Sequence, residues 1–234
     1  MDSLIQLNDK DREVRYTFYI TYALLMTTAT ITFIEAIRTN NSQIRHILNL
    51  ETCISVVAAF FYGMFMKKIN TPNINYKDIN LNRYLDWSIT TPIMLLVLIL
   101  ALAFNIKKRV KLIDFLIILV LNYGMLYFGY KGEINKGDSE NQKQNQKEVI
   151  KGNVIGFIFF TLMYGFIYMK YIRGKNNFDN NMLFGAFVFL WALYGVAYWF
   201  NERQKNIGYN VLDLFSKCFV GIFFWAYFTK VLTL

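Results

Sequence analysis

Residues 207–232 read IGYNVLDLFSKCFVGIFFWAYFTKVL. A helix crossing the hydrocarbon of a bilayer needs about 20 mostly apolar residues, and this run is long enough. Inside it stand an aspartate, Asp213, and a lysine, Lys217, four positions apart. At that spacing both project from one face of a helix. Ionisable groups within a span cost several kcal/mol and mark function. The stretch therefore predicts a spanning helix that carries a working site.

Upstream lie six more segments of the same apolar character, at about 16–37, 44–66, 83–106, 110–130, 152–173 and 182–200. The whole composition agrees with them. Of 234 residues 55% are hydrophobic and 18% aromatic, with two Pro and thirteen Gly, and the mean hydropathy is +0.29. Disorder, collagen and Gly/Pro-rich β architectures are excluded. The sequence predicts an all-α, multi-pass integral membrane protein of one domain, residues 1–234, with seven spans and no internal repeat. Its connections are short except 131–151, a polar stretch rich in Lys, Asn, Gln and Glu that reads as a mobile loop. The first fifteen residues are polar and of mixed charge, without the apolar region of a signal peptide. Insertion by the first span is expected.

The net charge of +9 would raise nucleic acid as a partner of a soluble protein. Here Lys and Arg cluster between the apolar runs, as in Lys107-Lys108-Arg109 and Lys111. That pattern reads as loops facing anionic lipid head groups, and nucleic acid is not an expected partner. Cys53 and Cys218 lie within apolar runs and His46 is the sole histidine, so a Cys/His metal site is excluded. Seven spans place the termini on opposite sides. The Lys and Arg of the connections are shared too evenly to orient the chain. The dense cluster at 107–111 favours the third connection as cytoplasmic, which puts the N-terminus outside and the C-terminus in the cytoplasm.

A buried lysine demands compensation. Arg83, Asp86 and Thr90 share one face of the third span, at spacings of three and four. Asp86 and Asp213 around Lys217, with Arg83 toward one surface, is the simplest arrangement. One reading is a structural charge cluster tying two helices together. The other uses the amine itself: a desolvated lysine is a good nucleophile and forms a Schiff base with an aldehyde. Two carboxylates would hold the iminium charged, and a long apolar aldehyde would account for the aromatic wealth.

The stretch Arg83-Tyr84-Leu85-Asp86-Trp87-Ser88-Ile89-Thr90-Thr91-Pro92 resembles the third-helix signature of microbial rhodopsins. Asp213-Leu214-Phe215-Ser216-Lys217 resembles the retinal-lysine motif of their seventh helix. Trp191-Ala192-Leu193-Tyr194 resembles the aromatic pair of their sixth. The likeness runs through all seven helices in order, and the short N-terminus and second span look most like rhodopsins of large algal viruses. The resemblance implies a seven-transmembrane helix bundle with covalently bound all-trans retinal in its core, a photoreceptor rather than an enzyme. It implies Lys217 as the Schiff-base lysine, Asp86 and Asp213 as counterions, Asp86 as first proton acceptor and Thr90 as its hydrogen-bonding neighbour. Trp87 and Trp191 would sandwich the polyene. Tyr62, Tyr84, Tyr194, Tyr198, Thr91, Asn122 and Met125 would line the pocket, with Met94 at a colour-tuning position that implies green absorption.

Departures from the pattern matter as much. Where bacteriorhodopsin has its cytoplasmic donor aspartate, eleven residues past the acceptor and about 16 Å along the helix, this chain has Val97. Gly195 replaces the sixth-helix proline, Tyr198 a later tryptophan, and Asn122 an aspartate of the fourth helix, so the gating pair of some channel relatives would be Thr91 with Asn122. Of the two release glutamates only Glu202 has a counterpart, and Lys205 stands where the other would be, which puts fast release in doubt. Glu51 offers a replacement donor, as in viral members that place theirs on the second helix. It shares a face with Ser55 and Tyr62. Apolar surroundings disfavour a carboxylate and so keep an acid protonated, as a donor requires. Its alternative is an interfacial pairing with Arg45 or His46. Glu35 and Asp114, near helix ends, read as solvated or paired.

These implications favour a light-driven outward proton pump over a light-gated cation channel, which tolerates loss of the donor. A slow photosensor ranks third. The expected partners are membrane lipids, the transported proton or another cation, and further copies of the chain as a pentamer or trimer.

Overall fold

The computed structural model describes residues 11–136 and 142–229. Seven helices account for nearly all of it: α1 (Arg12–Arg38), α2 (Ser42–Ile69), α3 (Tyr76–Asn105), α4 (Leu112–Ile134), α5 (Gln142–Tyr171), α6 (Phe178–Ala197) and α7 (Glu202–Thr229). All seven are long and apolar enough to cross a membrane, and the described residues contain no strand. Large apolar side chains stand exposed along them, among them Phe60, Val120 and Leu162. Water would penalise such a surface, whereas acyl chains match it, and helices meet the further demand of lipid that backbone groups pair internally.

Every helix runs beyond its predicted apolar run at one end at least, although α4 begins two residues later than expected and α3, α5 and α6 end one to three residues earlier. Hydropathy marks only the part in hydrocarbon, while the backbone ladder continues until a cap or turn residue stops it. Asn41 caps α2 by accepting from the Gln43 and Ile44 amides at 2.9 and 3.3 Å. Asn201 caps α7 through the Gln204 amide at 2.9 Å. The stretch 131–151, expected as a loop, is largely helical instead. α4 runs on to Ile134 and α5 begins at Gln142, leaving 137–141 outside the described residues. Gln, Lys and Glu are good helix formers, and Lys151 pairs with Glu148 one turn earlier at 3.8 Å. The chain ceases to be apolar there without ceasing to be helical. The sixth helix ends at Ala197, and Tyr198 sits in the turn beyond it.

The chain divides into two compact units. One comprises residues 1–80 and 190–234, the other 81–189. In the first, α1, α2 and α7 meet over a core of Phe18, Leu25, Ala58, Tyr62, Phe65 and Cys218. In the second, α4 and α5 approach so closely that a Cβ on Gly152 would stand 2.6 Å from the Phe128 carbonyl oxygen. Phe128 stacks on Phe159 beside that crossing, with ring centroids 5.7 Å apart. Pro92 lies within α3 and lacks the amide that would serve the Ser88 carbonyl. The Tyr123 hydroxyl of α4 donates to that carbonyl at 3.1 Å. Near one end of the unit Asp114 pairs with Lys170 at 3.0 Å. In the first unit Glu35 lies 3.7 Å from Arg38.

Candidate functional site

α7 leaves regular α-helical winding between Leu214 and Phe219, where it takes π-helical turns, and Lys217 falls inside that segment. Such insertions are rare and concentrate at functional sites. Lys217 Nζ lies 3.4 Å from Asp213 Oδ1, with the two side chains 1% and 0% exposed. Both oxygens of Asp213 are further engaged. The Tyr194 hydroxyl of α6 donates to Oδ1 at 2.7 Å, and the Tyr62 hydroxyl of α2 donates to Oδ2 at 2.8 Å. Behind them stands a second layer. Ser216 Oγ is 2.8 Å from the Tyr194 oxygen, Asn210 Oδ1 is 3.0 Å from the Tyr62 hydroxyl, and Asn210 Nδ2 donates to Thr17 Oγ1 at 2.8 Å. The two tyrosine bonds to the Asp213 carboxylate are charge-assisted, a type that is short and about twice as strong as neutral ones.

Sequence reasoning placed Lys217, Asp213, Tyr62 and Tyr194 together but missed Asn210, Thr17 and Ser216. A signal existed for Asn210. It lies three residues before Asp213 on the same face, and a buried amide is costly unless bonded.

On α3, Arg83, Asp86 and Thr90 are all fully buried. Because α3 begins at Tyr76, Arg83 stands two turns inside the helix rather than near its end. Thr90 Oγ1 donates to the Asp86 carbonyl at 2.9 Å and lies 3.3 Å from Asp86 Oδ1. One residue on, Thr91 Oγ1 accepts from Asn122 Nδ2 of α4 at 2.9 Å, so the expected pair forms. Met94 and Val97 are buried on the same helix, as is Trp87, and Met125 of α4 is half-buried. Tyr84 turns toward α4, edge-on to Tyr130 at 5.5 Å and to Trp87 at 5.0 Å. Trp191 and Tyr198 are buried.

Glu202 occupies the first turn of α7, 41% exposed at its side chain, and accepts from Lys205 Nζ at 2.7 Å. Asn80 Nδ2 also donates to its carboxylate, and Asn206 joins the cluster by donating to Asn80 Oδ1 at 3.0 Å. Lys205 is fully buried. The residue that stands in place of a second acid thus holds the first one.

Glu51, 2% exposed on α2, makes no pair with Arg45 or His46. Arg45 Nη2 donates to the Thr39 carbonyl at 2.7 Å, and His46 Nε2 lies 3.3 Å from Ser42 Oγ. The carboxyl rests instead on α7: Oε2 is 3.2 Å from where a Cβ on Gly221 would stand.

The bacteriorhodopsin-like protein family matches residues 13–231. The chain belongs to that family. It is similar to the viral rhodopsin OLPVRII, with 55% identity over 94% of this chain and 99% of that one and a TM-score of 0.83. A blue light-absorbing proteorhodopsin from Med12 shares the fold at 22% identity, covering 93% of this chain and 96% of its own, with a TM-score of 0.70. Exiguobacterium sibiricum rhodopsin does so at 20% identity, 95% and 97% coverage and a TM-score of 0.74. No curated protein sequence matches the chain.

This is therefore a microbial rhodopsin, a multi-pass membrane protein with the seven-helix fold of its family, whose members are ion pumps or channels. Retinal is the family's chromophore and this protein's cofactor. The residues present fit it. Lys217 is a buried primary amine, which a covalently held aldehyde requires, and Asp213 supplies a negative charge at 3.4 Å.

Proposed function

We propose that this rhodopsin is a light-driven outward proton pump, and the observation that carries the reading is the setting of Glu51. A pump must refill its central nitrogen from the side opposite to release. Val97 fills the place of the usual donor, and a valine passes no proton. Glu51 is a buried acid, and no ion pair or hydrogen bond reaches its carboxyl among the described residues. It sits against α7 at Gly221, one turn beyond Lys217.

Lys217 would hold retinal, with Trp87 and Trp191 contributing to its lining, and when bound the group would supply the light absorption and isomerisation that set the proton at the Lys217 nitrogen in motion. Tyr84, Tyr198, Thr91, Asn122, Met94 and Met125 would complete its pocket. Asp86 accepts that proton, oriented by the Thr90 hydroxyl 3.3 Å from Oδ1. Asp213, with both oxygens already accepting from tyrosines, stays in place as the fixed counterion. Arg83 favours release toward Glu202, whose carboxylate the Lys205 and Asn80 contacts hold in position. Glu51 returns a proton to Lys217. The pump works as one domain, residues 1–234, in a lipid bilayer, with the N-terminus outside, the C-terminus cytoplasmic and the chain assembled as a pentamer or trimer.

The Thr91–Asn122 bond, at 2.9 Å between α3 and α4, favours a second reading as a light-gated cation channel. Light-evoked current under voltage clamp, with all-trans retinal supplied, separates the two. A pump gives outward current that does not reverse with voltage. A channel gives current whose reversal potential follows a cation gradient, and that result would overturn the pump. A coloured protein without current is a photosensor.

A further inference from the structure

Two features mark the α2–α7 seam. Gly221 is four residues past Lys217 on α7, hence on the same face and about 6 Å further along the helix. A Cβ there would stand 2.7 Å from Thr28 Cγ2, 3.2 Å from Glu51 Oε2 and 3.9 Å from Thr32 Cγ2. The bare glycine is thus the seat of the Glu51 carboxyl. The two threonines turn their methyls toward it and their hydroxyls elsewhere, Thr28 to the Cys218 carbonyl at 3.4 Å and Thr32 to Thr52 Oγ1 at 2.8 Å.

The second feature is Ser55. It is fully buried, and among the described residues its hydroxyl has no hydrogen-bond partner. A buried hydroxyl without a partner is costly, and a serine within a helix can avoid this by bonding its own backbone. Ser55 is one turn from Glu51 along α2, in the direction of Tyr62. Tyr62 bonds Asp213 at 2.8 Å, four residues before Lys217, and Glu51 touches the backbone four residues after it. The stretch of α2 between those two ties passes the level of Lys217, and Ser55 lies on it.

We propose that Ser55 is the proton relay between Glu51 and Lys217, with Gly221 as the positioning residue that lets the Glu51 carboxyl reach this seam. The proposal rests on Glu51 as donor. In the transfer Glu51 loses a proton and becomes a carboxylate. The Ser55 oxygen takes up one proton and gives its own onward, directly or through bound water, and the Lys217 nitrogen gains one. No electron moves and no other reactant is needed.

The test compares Ser55→Ala, Ser55→Thr, Glu51→Gln and Gly221→Ala/Thr28→Ser in the retinal-bound protein. Thr28→Ser removes the methyl that a new Cβ would strike, so the pair isolates pressure on Glu51, and Thr28→Ser alone is its control. Reprotonation is timed from recovery of visible absorbance after a flash. Ser55→Ala should slow it at least tenfold and Ser55→Thr should restore it, as should a small weak acid such as azide in the bath. Ser55→Ala should also leave the thermal midpoint in the dark unchanged or higher, because the hydroxyl bonds nothing among the described residues. A purely structural serine would lower it. Gly221→Ala/Thr28→Ser should shift the carboxyl C=O stretch assigned by Glu51→Gln in the dark infrared spectrum, relative to Thr28→Ser. If Glu51→Gln slows recovery while Ser55→Ala stays within twofold of wild type, the relay is wrong and the donor stands. If Glu51→Gln itself changes nothing, the donor reading falls and takes the relay with it. Should Ser55→Ala fail to bind retinal, the Gly221 pair decides: a normal rate with a displaced carboxyl refutes the proposal.

Discussion

Asp213 is held by two tyrosine hydroxyls from different helices, and removing either isolates one bond to a buried carboxylate. Tyr62→Phe deletes the donor at 2.8 Å to Oδ2. The same hydroxyl lies 3.0 Å from Asn210 Oδ1, but it carries one proton, so only one hydrogen bond is lost. Asn210 remains tied through Nδ2 to Thr17. Tyr194→Phe deletes the donor at 2.7 Å to Oδ1 while keeping the ring stacked on Tyr209 at 5.9 Å. Ser216 loses an acceptor in the same step and recovers one by turning to its own helix backbone. Each variant thus loses one hydrogen bond to a charged group, about 1.5–3 kcal/mol. At about 2–4 °C per kcal/mol for a chain of this length, that is a fall of roughly 3–12 °C in thermal midpoint. The double variant should not be additive, because both bonds serve one carboxylate. A coupling of about 0.5–3 kcal/mol is expected. The assay is loss of visible absorbance on heating, in matched detergent or lipid, for wild type, both singles and the double. If both single variants lie within about 0.5 kcal/mol of wild type, or the double is the simple sum, the tyrosines do not act together on Asp213 and the description of the site is wrong.

Lys217→Ala should give a folded but colourless protein with retinal present, and a coloured one would refute the assignment of the lysine. Lys205→Met should destabilise the start of α7, since it removes the buried amine 2.7 Å from Glu202. The loss should fall below the 3–5 kcal/mol of a fully buried pair because Glu202 is part-exposed, and Glu202→Gln in the same chain should recover most of it in thermal melts. Tyr123→Phe leaves the Ser88 carbonyl without the donor that replaces the missing Pro92 amide, a cost of about 1–3 kcal/mol. Pro92→Ala restores a backbone donor, so Tyr123→Phe should cost little in that background. Equal losses with and without Pro92 would show that Tyr123 acts otherwise.

The order of the spans and the positions of Lys217, Asp213 and Asp86 were legible from the residues alone, while the membership of Tyr62 and Tyr194 in one site came from the resemblance to microbial rhodopsins. A bilayer forces this transparency. Spans must be long and apolar, so a lysine or aspartate within one stands out, and helical spacing of three and four assigns it a face. Helix ends were less legible, because hydropathy reports where the hydrocarbon stops and the backbone ladder of α4 and α5 continues through polar residues that favour helix as well.

What tertiary structure alone decided is which polar groups satisfy which. No periodicity foretold the π-helical segment around Lys217, against which α1 and α2 pack. Nothing local tied Asn210 to Thr17, Lys205 to Glu202 or Tyr123 to a carbonyl freed by Pro92. These bonds span long stretches of chain and are chosen by the cost of leaving a buried donor or acceptor unmade. Glu51 shows the division most plainly. Its burial could be guessed from the run around it, but its seat on Gly221 depends on a missing side chain 170 residues away (221 less 51), where only the folded chain brings a bare backbone under a carboxyl.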